Sequence, residues 1–180
     1  TPLGTIDFQN TLAKNGCTAD IVLAGTNTLL FACRAVQPGH VHVSGQKNDI
    51  LVSAYPSRKN DIVLAAIQQY LPEYRMVPDI LSVSLDNLNF EFHPGPTLLY
   101  TAMIENGLDF EYYSDFTPSQ ARLIEAIDQE RLALCRAYGI PVRNVAQTFH
   151  DEYGYEGTLY EMIKHADVYK GIKGPSTLNS

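Results

Sequence analysis

One histidine of this sequence stands where a proton-transfer group would be useful. His93 is followed directly by Pro94, Gly95 and Pro96. Proline fixes φ and has no backbone N–H, and glycine tolerates positive φ, so the sequence predicts a stiff corner just after His93. A histidine on such a corner can give or take a proton near neutral pH. The alternative is a hydrogen-bonded core histidine, and burial and a partner decide between the two because they set the pKa.

Two more histidines alternate with valines on a predicted strand. His40 and His42 share one face of that strand, and Val41 and Val43 share the other. An H-x-H pair can bind a metal, but no third ligand lies near it in the sequence. A solvent-facing strand surface is therefore the favoured interpretation.

The remaining reactive residues give weaker indications. Cys33 beside Arg34 fits an activated thiol, but free cysteine is more often a small buried hydrophobe, which we favour here. The consecutive residues His150, Asp151 and Glu152 point in different directions on a helix, so they do not form a ligand set. The sequence therefore predicts no metal site.

The elements that must position these residues change in character along the chain. The first part alternates helical and β patterns and resembles the end of an α/β sheet domain. We predict a helix over 6–15, strands over 20–25, 40–45 and 49–55, a helix over 60–70 and an extended passage over 76–85.

Beyond about residue 81 the β patterns fade and helices dominate. An apolar helix is predicted over 97–104, and two short ones over 142–153 and 159–165. A long helix is predicted to begin at Thr117 and to end at Gly139. Its start is indicated by Thr117 as N-cap, Pro118 at the first helical position and Gln120 as the capping-box partner of Thr117.

On that long helix, apolar and charged residues define two faces. The apolar stripe is predicted from Ile124, Ile127, Leu134 and Tyr138. The charged residues at i,i+3 and i,i+4 spacing are interpreted as a solvated face with ion pairs. They are Arg122, Asp128, Glu130 and Arg131.

Composition restricts the functional class. The 180 residues carry a net charge of −7 and 45% hydrophobic residues, which suits one large domain or two small ones. The negative charge argues against nucleic acid and against an anionic membrane surface as partners.

Three widely spaced cysteines indicate a reducing, cytoplasmic setting. The uncharged segment 21–33 is too short and too interrupted to cross a bilayer. The chain has no initiator Met, and we expect it to be a piece of a longer protein.

Several phrases occur in an order that is more specific than any one of them. This order resembles the octopine/nopaline (opine) dehydrogenase family over essentially the whole length. The phrases are Gly16-Cys17-Thr18-Ala19-Asp20, Ala32-Cys33-Arg34, Leu85-x-Asn87-x-Asn89, His93-Pro94-x-Pro96-Thr97, Thr117-Pro118-Ser119, Asp128-x-Glu130-Arg131 and Glu152-Tyr153-Gly154.

The resemblance implies a fold and an activity. Opine dehydrogenases join the amino group of an L-amino acid to a 2-keto acid and reduce the imine with NAD or NADP as cofactor. It implies α/β followed by all-α: residues 1–80 as the C-terminal portion of a Rossmann-like domain, and 81–180 as an incomplete α-helical substrate and dimerisation domain. A homodimer is a further expectation.

The resemblance also implies roles for particular residues. His93 matches the catalytic histidine, and Asn27, Cys33, Asn89 and Tyr100 are substrate-binding candidates. The main cofactor-binding loop is expected before Thr1. The acidic partner of the histidine is expected in an Arg-Tyr-x-x-Glu-Asp phrase after Ser180. We therefore expect the 180 residues alone to be inactive and to bind NAD(H) weakly.

Two other interpretations remain open at this stage. The chain could be a non-catalytic helical binding or dimerisation module, or another reductase of the 6-phosphogluconate dehydrogenase-like superfamily. A reading frame that contains both the glycine-rich loop and the acidic phrase would favour the opine dehydrogenase.

Overall fold

The computed structural model describes residues 2–178, and within them all side chains except those of Ser44, Glu152 and Tyr153. Glu152, the last of the three consecutive residues rejected above as a ligand set, thus lies outside the described side chains. The chain divides into two compact units, the first ending at Asn87 and the second beginning at Leu88.

The first unit is a small α/β structure. Its elements are α1 (Gly4–Lys14), β1 (Leu23–Thr26), β2 (Phe31–Gln37), β3 (His40–Gln46), β4 (Ile50–Tyr55), α2 (Asn60–Ile67), β5 (Tyr74–Met76) and α3 (Ile80–Leu85). A sheet of order β1-β4-β5 pairs β4 antiparallel with β1 and parallel with β5. Strands β2 and β3 form a separate hairpin around the predicted Pro38-Gly39 turn.

Strand β4 is the centre of this unit because both of its faces are covered. Leu51 packs with Val77, Ile80 and Val83 on one side. Val52 and Ala54 pack with Val63 of α2 on the other side. A strand buried on both faces is apolar at nearly every position rather than at alternate ones.

The second unit is helical. Its helices are α4 (Asn89–Phe92), α5 (Pro94–Leu99), α6 (Thr101–Glu105), α7 (Pro118–Tyr138), α8 (Val145–Tyr153) and α9 (Leu159–His165). They enclose a core rich in aromatic rings, among them Phe92, Tyr100, Phe110, Tyr112 and Phe116. The predicted order of an α/β part followed by a helical part is confirmed.

Two local predictions were wrong, and one strand was missed. The extended passage predicted over 76–85 contains helix α3, whose N-cap Asp79 accepts a hydrogen bond from the Ser82 backbone N–H. Strand β2 was not predicted, since its residues do not alternate between apolar and polar. The helix predicted over 97–104 is interrupted at Tyr100, which lies between α5 and α6.

The long helix α7 begins and ends as predicted, but its buried face differs. The capping box of Thr117 and Gln120 is present, and Gly139 ends the helix with φ 67°. Leu134 and Tyr138, predicted to be apolar contacts, are exposed. Buried positions include Asp128 and Arg131, so the prediction that these two lie on a solvated face was wrong.

The interpretation of Cys33 as a buried hydrophobe was also wrong, because its side chain is exposed on β2. Among the described residues, no helix combines the length and apolar character needed to cross a membrane.

Candidate active site around His93

His93 lies at the junction of two short helices. Its backbone N–H donates to the Asn89 carbonyl at 3.2 Å, which ends α4, and its carbonyl accepts from the Thr97 N–H at 3.1 Å, which begins α5. Pro94 removes no helical hydrogen bond here, because the N–H of the first residue of a helix has no partner within the helix. The predicted corner is thus a helix-to-helix junction.

Gly95 allows a close approach between α5 and α7 and does not adopt an unusual backbone angle. It is not one of the glycines with positive φ. A Cβ at this position would lie 3.0 Å from Leu123 Cδ2 and 3.5 Å from Ile127 Cδ1. Helix α5 can therefore pack tightly on α7 just beyond His93.

The hydroxyl of Tyr112 stabilises the corner through hydrogen bonds. It lies 3.0 Å from the Phe92 carbonyl oxygen, 2.9 Å from that of His93 and 3.0 Å from Thr97 Oγ1. A phenol has one proton to donate. The Tyr112 O–H therefore donates to the two carbonyls, and the Thr97 hydroxyl donates to the Tyr112 oxygen.

The side chain of His93 is exposed. The centroid of its imidazole ring lies 6.2 Å from that of the Tyr112 ring. Loss of hydration by the surrounding protein lowers the pKa of His93 below its usual value of 6.5. The ring is then mostly neutral at pH 7 and ready to accept a proton. Within residues 2–178, neither ring nitrogen has a hydrogen-bond or ion-pair partner.

Two substrate-binding candidates lie in the same unit as His93. Asn89 is the exposed first residue of α4. Tyr100 is buried, and its hydroxyl donates to the Tyr112 carbonyl at 2.9 Å. Burial raises the pKa of Tyr100 to about 12, so it stays neutral.

The other two candidates belong to the first unit. Asn27 is buried just after β1; its amide N–H donates to Asp86 Oδ2 at 2.7 Å, and its Oδ1 accepts from the Leu51 N–H at 3.0 Å. Cys33 lies opposite Val43 on the β2–β3 hairpin.

Comparison with known proteins decides the family. The sequence model described as NAD/NADP octopine/nopaline dehydrogenase, alpha-helical domain, matches residues 76–180. An opine dehydrogenase from Arthrobacter sp. (strain 1C) is 36% identical over 179 residues, which is 98% of this chain and 50% of the relative. The chain belongs to the octopine/nopaline dehydrogenase family.

More distant relatives match by sequence, and solved structures match in fold. A vitopine synthase from Allorhizobium ampelinum (strain ATCC BAA-846 / DSM 112012 / S4) is 24% identical over 162 residues, 88% of this chain and 45% of the relative. An octopine dehydrogenase structure with NADH and L-arginine has a TM-score of 0.69 at 21% identity, covering 95% of this chain and 47% of the other. An NADP+-bound yersinopine dehydrogenase has a TM-score of 0.65 at 13% identity, covering 96% and 50%. The chain spans about half the length of the curated relatives it matches.

Sequence reasoning missed a buried charged group of this opine dehydrogenase family member. Glu91 on α4 and the pair Asp128 and Arg131 on α7 are almost fully buried, and we call these three the buried cluster. Arg131 Nε lies 2.8 Å from Glu91 Oε1. The Asp128-x-Glu130-Arg131 phrase was visible in the sequence, but its burial and its contact with Glu91 were not.

Metal ligation has no support in the part of the chain that is described. Within residues 2–178, no group of three or more His, Cys, Asp or Glu residues is placed to hold a metal ion. Nor do we assign a described residue to a dinucleotide pyrophosphate, since the sequence has no G-x-G-x-x-G phrase.

Proposed function

We propose that the protein containing this chain is an NAD(P)H-dependent opine dehydrogenase. In this reaction the amino group of an L-amino acid condenses with a 2-keto acid, and the imine is reduced. The observation that carries the proposal is His93, the family's His-Pro histidine, on a corner that is held by Tyr112 and leaves its ring exposed.

The similar proteins support this class of substrate and cofactor. One relative is named opine dehydrogenase, and the octopine dehydrogenase structures contain NADH with L-arginine or with pyruvate. The yersinopine dehydrogenase structure contains NADP+. A nicotinamide cofactor, when bound, supplies the hydride that reduces the imine carbon.

His93 has a defined task in such a reaction. Addition of an amine to a keto group gives an alcohol whose oxygen must gain a proton before it leaves as water. The imidazole delivers that proton when protonated and, in the reverse direction, takes one from the attacking water. A pKa below 6.5 favours the neutral ring, which suits the proton acceptor needed for opine oxidation. An acidic partner, expected after Ser180, would favour the charged ring.

The substrate-side candidates differ in how they can act. Asn89 and Cys33 have exposed side chains and are able to touch a ligand directly. Asn27 and Tyr100 use their polar groups in hydrogen bonds within the fold, so we assign each of them the task of supporting its own unit rather than contacting a ligand.

Subunit association and location complete the proposal. Leu98 and Leu99 on α5 are 67% and 53% exposed, which supports a homodimer contact through that helix. Cys17, Cys33 and Cys135 are not joined in a disulfide, which fits a reducing, cytoplasmic setting. Sedimentation of the full-length protein, with Leu98→Lys as a disrupting variant, tests the dimer.

The activity test uses the full-length protein. NADH or NADPH oxidation is followed with pyruvate and other 2-keto acids against a panel of L-amino acids. We expect turnover that needs both the amino acid and the keto acid. Oxidation that needs only a keto acid would identify another reductase, and no oxidation with any pair would leave the binding-module interpretation.

A further inference from the structure

The buried cluster holds more negative than positive charge. Glu91, Asp128 and Arg131 are 0%, 2% and 3% exposed. Two ionised carboxylates beside one guanidinium would leave one negative charge uncompensated away from water, which is strongly unfavourable. One of the two carboxyls is therefore expected to carry a proton.

Hydrogen-bond geometry shows which one. Asp128 Oδ1 accepts from Arg131 Nε at 2.9 Å and from Nη2 at 2.5 Å, and its Oδ2 accepts from the Val145 N–H at 3.0 Å. Among residues 2–178, Oε2 of Glu91 has no hydrogen-bond partner, and Oε1 lies 2.8 Å from Arg131 Nε, whose N–H Asp128 Oδ1 also accepts. Asp128 is thus the carboxylate of the ion pair, and Glu91 is the carboxyl with room for a proton.

We propose that Glu91 is a positioning residue for His93 and that it acts in its neutral, protonated form. This inference rests on the proposed catalytic role of His93. Residues two apart on a helix point to different sides, so Glu91 lies against α7 while His93 stays exposed. Next to it, Phe92 stacks on Phe149 at 5.1 Å, which completes the attachment of α4.

Ionisation of Glu91 would disturb this attachment. A negative charge at Glu91 would compete with Asp128 for Arg131, whose Nη2 also donates to the Arg143 carbonyl at 2.6 Å. Because Arg131 attaches α4 to α7, this competition would shift α4. The shift would move His93, because His93 both ends α4 and precedes α5. Burial raises the pKa of Glu91 to about 7, so this change falls within the working range of an enzyme.

Among the described side chains, no other charged group near Glu91 takes over this role. The charges that act on Glu91 are Arg131 and Asp128 of α7. Helix α5 has no titratable side chain. The described titratable side chains of α8, His150 and Asp151, are exposed.

The first arm of the test is independent of activity. Full-length protein with ¹³C-labelled histidine rings and glutamate carboxyls is titrated by NMR, as wild type, Glu91→Gln, Glu91→Ala and the exposed control Glu125→Gln. The His93 signal is assigned by its loss in His93→Gln. We expect a Glu carboxyl that titrates near pH 7 and a second inflection in the His93 signal at the same pH. Both should be absent in Glu91→Gln and present in Glu125→Gln, and Glu91→Ala should shift the His93 signal at every pH.

The second arm measures opine oxidation, in which His93 works as the neutral ring. Above the pKa of Glu91, wild-type kcat should fall by up to about ten-fold per pH unit, whereas Glu91→Gln should keep its kcat within about two-fold. Glu91→Ala should lower kcat more than it raises KM. Identical His93 titrations in wild type and Glu91→Gln would overturn the inference even in an active enzyme. The expected titrations without opine oxidation would instead refute the proposed function and keep Glu91 as the group that positions His93.

Discussion

At the scale of residues, His93 combines an exposed side chain with a pKa lowered by loss of hydration. A base whose pKa is lower in the folded than in the unfolded state stabilises the fold fully above its unfolded pKa. That contribution is lost as the pH falls from about 6.5 through the folded pKa.

We therefore predict that His93→Gln reduces the acid-side loss of stability. The free energy of unfolding, measured between pH 5 and pH 7.5, should decline less steeply in the variant than in wild type, because the variant lacks the group that must take up a proton. In the 180-residue chain, without the acidic partner expected after Ser180, the ring itself should titrate below 6.5 by NMR. A His93 inflection at or above 6.5 would contradict the prediction.

Tyr112 offers a second prediction. Tyr112→Phe removes the hydroxyl that donates to the Phe92 and His93 carbonyls and accepts from Thr97. The unfolding free energy should drop by about 1–3 kcal/mol, since the loss leaves partners unpaired. Tyr138→Phe, at a residue 63% exposed, is the matched control and should change stability little. Equal effects of the two variants would refute the role of Tyr112.

The buried cluster shows why some buried charged groups cannot be predicted from the sequence. Opposite charges at i,i+3 on a helix are common on solvated surfaces, so Asp128 and Arg131 fitted that pattern. Their burial depends on Glu91, which lies 37 residues before Asp128 in the sequence. His93 could be singled out as a candidate because Pro94, Gly95 and Pro96 follow it directly and restrict the backbone.

At the scale of elements, local chemistry decided which predictions succeeded. Helix α7 has a complete capping box and a terminal glycine, and both of its ends were predicted. Helix α3 is six residues long and follows an apolar stretch and a proline, and its N-cap Asp79 lacks a box partner. Its packing against β4 outweighs the extended pattern of its sequence.

A short β contact fixes the segment that carries Tyr112. Glu111 bridges Lys173, the Tyr112 N–H donates to the Ile172 carbonyl at 2.7 Å, and the Gly174 N–H donates to the Phe110 carbonyl at 2.9 Å. A Cβ on Gly174 would lie within 2.5 Å of three Phe110 ring carbons. Only glycine fits this position without a movement of the ring.

Gly174→Ala should therefore destabilise the second unit. Overpacking of this kind costs about 1–3 kcal/mol, and the thermal unfolding midpoint should fall accordingly. Gly45→Ala, where a Cβ would have nothing within 4 Å, serves as the control with free space. A midpoint for Gly174→Ala as high as that for Gly45→Ala would contradict the packing account.

At the scale of the whole molecule, sequence reasoning recovered the order of an α/β unit and a helical unit. Apolar strands, the Pro38-Gly39 turn and helical spacing are properties of short windows, which is why they are visible in the sequence. The two-stranded β2–β3 hairpin separate from the main sheet depends on pairing that such windows do not specify.

The proposed reaction needs proton transfer and hydride but no metal. We predict that the full-length enzyme keeps its activity after exhaustive dialysis against a chelator, because proton transfer by a histidine and hydride from a nicotinamide cofactor account for the proposed reaction. Loss of activity that one added metal ion restores would refute this.

The central claim is that His93 is the proton-transfer residue of an opine dehydrogenase. The direct measurement is kcat of the full-length enzyme carrying His93→Ala, beside the exposed control His165→Ala. The account predicts that His93→Ala lowers kcat by roughly 10²–10⁴-fold with an unchanged fold, while His165→Ala stays close to wild type. A His93→Ala enzyme with near-normal kcat would contradict it.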